Sequence, residues 1–238
     1  MTRLWGIVLN WIAVGLAEDI PVGTVVPRRV DGLDLAIWRS GLGRFHAWDD
    51  RCPHRGMRLS HGFVRGEVLA CVYHGWQYDL DGACDYIPAH PDLTPPKTIC
   101  ANTYVCEPRN QALWVALGTV NGDVPDIGDR IPIRSLDISC GAPAIARYFD
   151  HPQDPLIVLN GKYDLAIALQ PSTSRSCFAH VFAGAGQDKK IVSRYVEKLR
   201  DELEAALVIQ AKIIGIRLGC YRTFICRAKR CCLAKKSH

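Results

Sequence analysis

The sequence predicts an α+β protein: a small N-terminal all-β domain, then a reduced antiparallel sheet packed by one long C-terminal helix. Three observations predict it. Short β-rich runs separated by Gly, Pro and Asp-Gly fill the chain from Val25 to Leu117, a stretch crowded with Gly, Pro and Asp follows, and beyond it come a hairpin signal and a single long amphipathic repeat. At 238 residues the chain has room for one large domain or two modest ones. The expected division is 1–118 for the β domain, 119–135 for a linker, 136–208 for sheet plus helix, and 209–238 for a tail.

Residues 4–17 follow Arg3 as an apolar run of signal-peptide length, but Asn10 interrupts it and Trp5 and Trp11 are bulky for such a core, so a first strand is expected. Strands are then expected at 33–39, 44–48, 67–73, 76–80, 103–106 and 113–117, with breaks at Gly41, Gly43, Gly62, Gly66, Asp81-Gly82 and Pro95-Pro96. Past the linker, 155–159 and 163–169 read as strands about an Asn160-Gly161 turn, and 176–182 as a third. From Asp188, a plausible cap, to about Leu207, the apolar residues Ile191, Tyr195, Leu199, Leu203 and Leu207 recur every four positions and predict a helix.

The net charge of +5 is local. Residues 209–238 hold eight Lys/Arg and no acid; removing those eight from 29 leaves 21 basic against 24 acidic residues, a body of −3. Such a body gives no footprint for a nucleic-acid partner. No apolar run reaches membrane-spanning length, so no transmembrane segment is expected. The tail, with Cys220, Cys226, Cys231 and Cys232, reads as a basic amphipathic anchor, a metal-binding cysteine cluster, or an altered reading frame at the gene's end; polarity, acid content and cysteine use change together, which favours the last.

Chemistry concentrates in Cys52-Pro-His54 and Cys71-Val-Tyr-His74, that is C-x-H, sixteen residues, C-x2-H. Two thiolates and two imidazoles in short pairs could bind zinc. Each loop, however, contributes one Cys and one His, which suits a two-iron cluster with one iron on sulfur and the other on nitrogen, whereas zinc loops more often pair Cys with Cys.

Together with Leu59-Ser-His-Gly62 and the continuation to Gly75-Trp76, these segments resemble the Rieske domain of Rieske non-haem iron oxygenases, from about Trp11 to Leu117. The resemblance implies a [2Fe–2S] cluster held by Cys52, His54, Cys71 and His74. It also implies a ferredoxin or flavin-dependent reductase as electron donor, and a homo-oligomer or a full-length oxygenase subunit as partner. Rieske proteins of respiratory complexes carry a disulfide where Met57 and Tyr73 stand, and a serine donor where Trp76 stands. Fewer donors to the cluster predict a potential in the lower part of a range of roughly −150 to +300 mV.

The family's second iron, on two nearby histidines and a carboxylate, has no evident counterpart. His151 and His180 with Asp150 or Asp154 form one loose grouping without the family's close pair of histidines, so a mononuclear Fe(II) is not expected in this chain and no catalytic residue is assigned. The second half resembles closing segments of the oxygenase catalytic domain, a helix-grip-like remnant, which makes the chain a shortened homologue. An oxidoreductase component of oxygenase type is the leading expectation. The alternatives are a complete monooxygenase or demethylase with an unorthodox iron site, acting on a small aromatic or methylated substrate, and a non-catalytic cluster-binding remnant. His61 and His90 read as surface residues, Trp76 and Tyr78 as packing beneath the loops, and Cys84, Cys100, Cys106, Cys140 and Cys177 as reduced buried or half-buried strand thiols, consistent with the cytoplasm.

Overall fold

Period-two alternation of apolar side chains builds this molecule from stacked cores. The computed structural model describes residues 11–120, 122–151 and 156–214. Its strands, in chain order, are β1 (Ile12–Leu16), β2 (Thr24–Val30), β3 (Leu33–Arg39), β4 (Phe45–Asp49), β5 (Phe63–Arg65), β6 (Val68–Ala70), β7 (Gln77–Tyr78), β8 (Cys84–Tyr86), β9 (Thr103–Arg109), β10 (Ala112–Ala116), β11 (Ile131–Ile138), β12 (Leu156–Leu159), β13 (Leu165–Thr173) and β14 (Ser176–Ala183). Helix α1 (Ala142–Tyr148) lies between β11 and β12, and α2 (Lys189–Ile214) follows β14.

Three antiparallel sheets result: β1-β10-β9-β4-β3-β2, β5-β6-β7-β8 and β11-β14-β13-β12. Pro27 is accommodated because β2 is an edge strand, where a missing N–H breaks no ladder.

Adjacent cores share strands. In β3, Ala36 and Trp38 face a core containing Cys52, Cys71 and Tyr78, while Leu35 and Ile37 face one containing Leu113 and Val115 of β10. The other face of β10, with Ala112, Trp114 and Ala116, packs on Ala166, Ala168 and Phe182 of the third sheet. Leu165, Ile167 and Leu169 of β13 then face the last core, which Val192 and Val196 of α2 close. Strands buried on both faces explain why β3, β10 and β13 read as near-continuous apolar runs.

Several expectations change. The stretch expected as a linker to residue 135 is partly core: Val124 and Ile127 are buried and β11 begins at Ile131. The hairpin at Asn160-Gly161 exists, but Leu159 pairs with Leu165, so its loop spans 160–164 with Asp164, not Gly161, at positive φ. Helix α1, with Pro143 in its first turn, stands where the sequence pattern predicts no helix. In α2 the Asp188 carboxylate accepts from the N–H groups of Lys190 and Ile191, as a cap should. Its buried stripe is Val192, Val196 and Leu203, and Ile191 is 53% exposed, because the four-residue spacing drifts around a 3.6-residue turn. The helix continues past residue 208 to Ile214, and the tail from 215 and the N-terminal residues 1–10 lie outside the described residues.

Candidate metal centre

Two loops of matching construction converge at the end of the small β5-β6-β7-β8 sheet. In the first, the Cys52 N–H donates to Met57 O (2.7 Å) and the Gly56 N–H to Cys52 O (2.8 Å); in the second, Cys71 N–H donates to Trp76 O (2.9 Å) and Gly75 N–H to Cys71 O (3.0 Å). Both closing glycines sit in the left-handed region, at φ 74° and 71°, which a side chain would strain. The repeated Gly four residues after Cys thus has one cause in both loops.

Asp50 clamps the first loop. Its side chain is fully buried and accepts from the Ser60 N–H and hydroxyl, each at 2.7 Å, and from Arg58 at 3.2 Å, while Arg58 also reaches Asp34 at 2.8 Å. Gly62 ends the segment where no side chain fits: a Cβ there would lie 2.3 Å from Ala70 O. Beside the first loop lies a cleft of about 270 Å³ lined by Asp49, Arg51, His54, Arg55, Cys100 and Asn102, among others.

The four motif residues come together in pairs. Cys52 and Cys71 are buried in one core, and the rings of His54 and His74 lie 4.6 Å apart. Burial pushes the Cys71 thiol up, so metal must displace its proton. Desolvation, then the neighbouring His74 and Arg55, hold His54 below the usual imidazole range. Among the described residues no three His, Cys, Asp or Glu side chains converge as a single metal ion needs, and the motif residues are no exception. Thiols beside thiols and imidazoles beside imidazoles instead fit a cluster whose two irons take different donors.

Two further side chains act on this site. Tyr78 is buried with its hydroxyl 3.0 Å from Cys52 Sγ; burial, then that contact, raise its pKa, so beside a thiolate it remains the donor. The expectation of lost donors is therefore incomplete, since the alternation of β7 points Tyr78 at the sulfur. Trp76 packs against the core that holds Cys52, Cys71 and Tyr78 and also stacks on His54. His61 and His90 are exposed, as expected. Cys84, Cys106 and Cys177 are strand thiols, but Cys100 is exposed and Cys140 lies outside any strand. The other grouping does not assemble at His180, which is buried with both ring nitrogens engaged, by Ser135 Oγ (2.8 Å) and Gln170 Oε1 (2.9 Å); Asp154 lies outside the described residues.

Fold and site together define an all-β domain that gathers two thiols and two imidazoles on paired loops. Comparison with known proteins narrows the class. Residues 10–103 match the model of the Rieske [2Fe–2S] domain. The chain is 38% identical over 129 residues to oxidoreductase NdmD of Pseudomonas putida, covering 54% of this chain and 21% of that protein. It is 35% identical over 108 residues to the oxygenase component of chloroacetanilide N-alkylformylase of Rhizorhabdus wittichii, covering 45% and 30%. In structure it is similar to apo dicamba monooxygenase at a TM-score of 0.70 and 18% identity, over 94% of this chain and 95% of that one, a likeness of fold. Residues 10–103 are therefore a Rieske [2Fe–2S] domain, which binds a [2Fe–2S] cluster, and the chain is similar to components of Rieske non-haem iron oxygenases. It spans about a fifth to a third of the curated relatives' length. Among the described residues no helix is long and apolar enough to cross a membrane.

Proposed function

We propose that this chain is a Rieske iron–sulfur oxidoreductase component of oxygenase type, in which Cys52 and Cys71 hold one iron and His54 and His74 the other. The observation that carries the reading is the pairing of donors by type at the tips of two loops, with the thiols buried and His74 exposed. When bound, the cluster supplies reversible one-electron transfer. The protein's part is to bury the sulfur side, engage Cys52 through Tyr78, and present the imidazole side to a partner. The donor is a ferredoxin or flavin-dependent reductase, and the acceptor a full-length oxygenase subunit or a second copy of the chain. The second half is a reduced, helix-grip-like remnant of an oxygenase catalytic domain. Free thiols at Cys84, Cys100, Cys106, Cys140 and Cys177 support a reducing compartment such as the cytoplasm.

The test is the ratio of iron to acid-labile sulfide in the anaerobically purified full chain, with reduction by a reductase from the same source. Equal amounts, lost in Cys52→Ser and His74→Ala, support the reading. One additional iron per chain, with turnover of a small aromatic or methylated substrate, replaces it with a complete monooxygenase. Iron without labile sulfide rejects both.

A further inference from the structure

We propose that Trp76 is a positioning residue for His54: its indole sets the plane of that imidazole and closes one of its faces, leaving His74 as the imidazole open to solvent and to a partner. The inference rests on the assignment of both histidines as cluster ligands and deepens it.

The geometry is specific. The Trp76 and His54 rings are parallel to within 5° at a centroid distance of 4.0 Å, which is face-to-face contact. The other neighbour, His74, is tilted by 59° at 4.6 Å and cannot define the same plane. The terminal torsion of a histidine is broad and roughly two-fold, so the backbone of the first loop alone does not hold the ring.

Trp76 is itself held. Its carbonyl accepts from Cys71 N–H at 2.9 Å, it follows Gly75 at φ 71°, and its half-buried side chain packs on the core that contains Cys52, Cys71 and Tyr78. A residue anchored in the second loop therefore orders the imidazole of the first, and the ring stack registers the two loops to each other. His74 lacks an equivalent wall. Its ring meets Tyr73 at 3.8 Å and 35°, but Tyr73 is 56% exposed. One nitrogen donor is walled by a fixed ring and the other only by a surface side chain.

Diethylpyrocarbonate labelling of the anaerobically purified full chain, read by peptide mass spectrometry, tests this, with exposed His61 and His90 as internal references. In the natural sequence His54 should label more slowly than His74. Trp76→Leu should raise the His54 rate at least fivefold with the references unchanged, and Trp76→Phe, which restores a flat ring, should return most of the protection. In pulsed EPR of the reduced protein, Trp76→Leu should shift or broaden the couplings of one of the two coordinating nitrogens. An unchanged His54 rate in Trp76→Leu overturns the proposal, as does a rise at all four histidines together, which marks general loosening. If Trp76→Leu does not fold, Trp76→Phe and the ringless Trp76→Val carry the comparison, and equal His54 rates in these two variants reject it. Failure of the cluster assignment looks different: iron and sulfide absent with the labelling contrast intact.

Discussion

Acidifying the protein should weaken it through His180, and the magnitude follows from its surroundings. Gln170 donates its Nε2–H to Arg29 O at 2.9 Å, which leaves Gln170 Oε1 to accept from His180 Nε2–H and leaves Nδ1 to accept from the Ser135 hydroxyl. The imidazole is thus satisfied in its neutral form. Burial, with the Arg28 charge nearby, pushes its pKa down to about 3. The unfolded chain takes up that proton near 6.5 and the folded chain only near 3, so stability falls as pH drops through this window. The slope approaches about 1.4 kcal/mol per pH unit, or about 2 kcal/mol between pH 8 and pH 5. Urea unfolding at pH 8, 7, 6 and 5, run in parallel on His180→Gln, isolates this group because other titrations cancel in the difference. The natural sequence should lose about 2 kcal/mol relative to the variant over that range. A difference that stays constant with pH would falsify the assignment of His180 as a buried neutral base.

Tyr78→Phe removes the hydroxyl at Cys52 Sγ; at about 1 kcal/mol for the contact, the reduction potential should drop by about 40 mV in voltammetry, from a starting value below the middle of the Rieske range. An unchanged or raised potential would show that the hydroxyl does not donate to that sulfur. Asp50→Ala deprives the Ser60 N–H and hydroxyl of their acceptor and leaves Arg58 with Asp34 alone, and should cost about 2–3 kcal/mol in urea unfolding along with cluster content; full occupancy with an unshifted midpoint contradicts the clamp. Gly62→Ala forces a Cβ against Ala70 O and should cost about 1–3 kcal/mol, read as a lower thermal midpoint.

The legible part of this molecule lay in short-range chemistry. The pairing of Cys52 with Cys71 and of His54 with His74 was legible because the spacing within a tight loop is a property of a few consecutive residues, and the capping role of Asp188 and the strand of Leu33–Arg39 are equally local. The action of Tyr78 on Cys52 was not legible, since it joins positions 26 apart through a strand register that no spacing reveals. The clamp of Asp50 on Ser60 required knowing that the loop folds back on itself. Residues 119–135 misled because Gly and Pro mark irregular backbone, not exposure: Val124 and Ile127 are irregular and buried. The signal available there was the two apolar residues themselves, isolated among turn formers.

That buried stretch bears on why a second half is present at all. Trp11, Leu16 and Trp114 of the Rieske half are covered by Ala166, Ala168 and Phe182 of the third sheet together with Val124 and Ile127. The β2–β3 turn also donates the N–H groups of Asp31 and Gly32 to Pro171 O and Ser172 O, at 2.8 and 3.1 Å. Uncovering three large side chains at about 1.5–3 kcal/mol each removes roughly 4–9 kcal/mol, comparable with the whole stability of an ordinary domain. A fragment comprising residues 1–118 should therefore show no cooperative unfolding transition, or one at far lower urea than the full chain, and should fail to retain iron. If the fragment unfolds at the same midpoint as the full chain, the shared core contributes nothing and the second half needs another reason to exist. If it does not, the sheet and α2 are accounted for as the support of the cluster domain, and no oxygen chemistry of their own need be invoked to explain them.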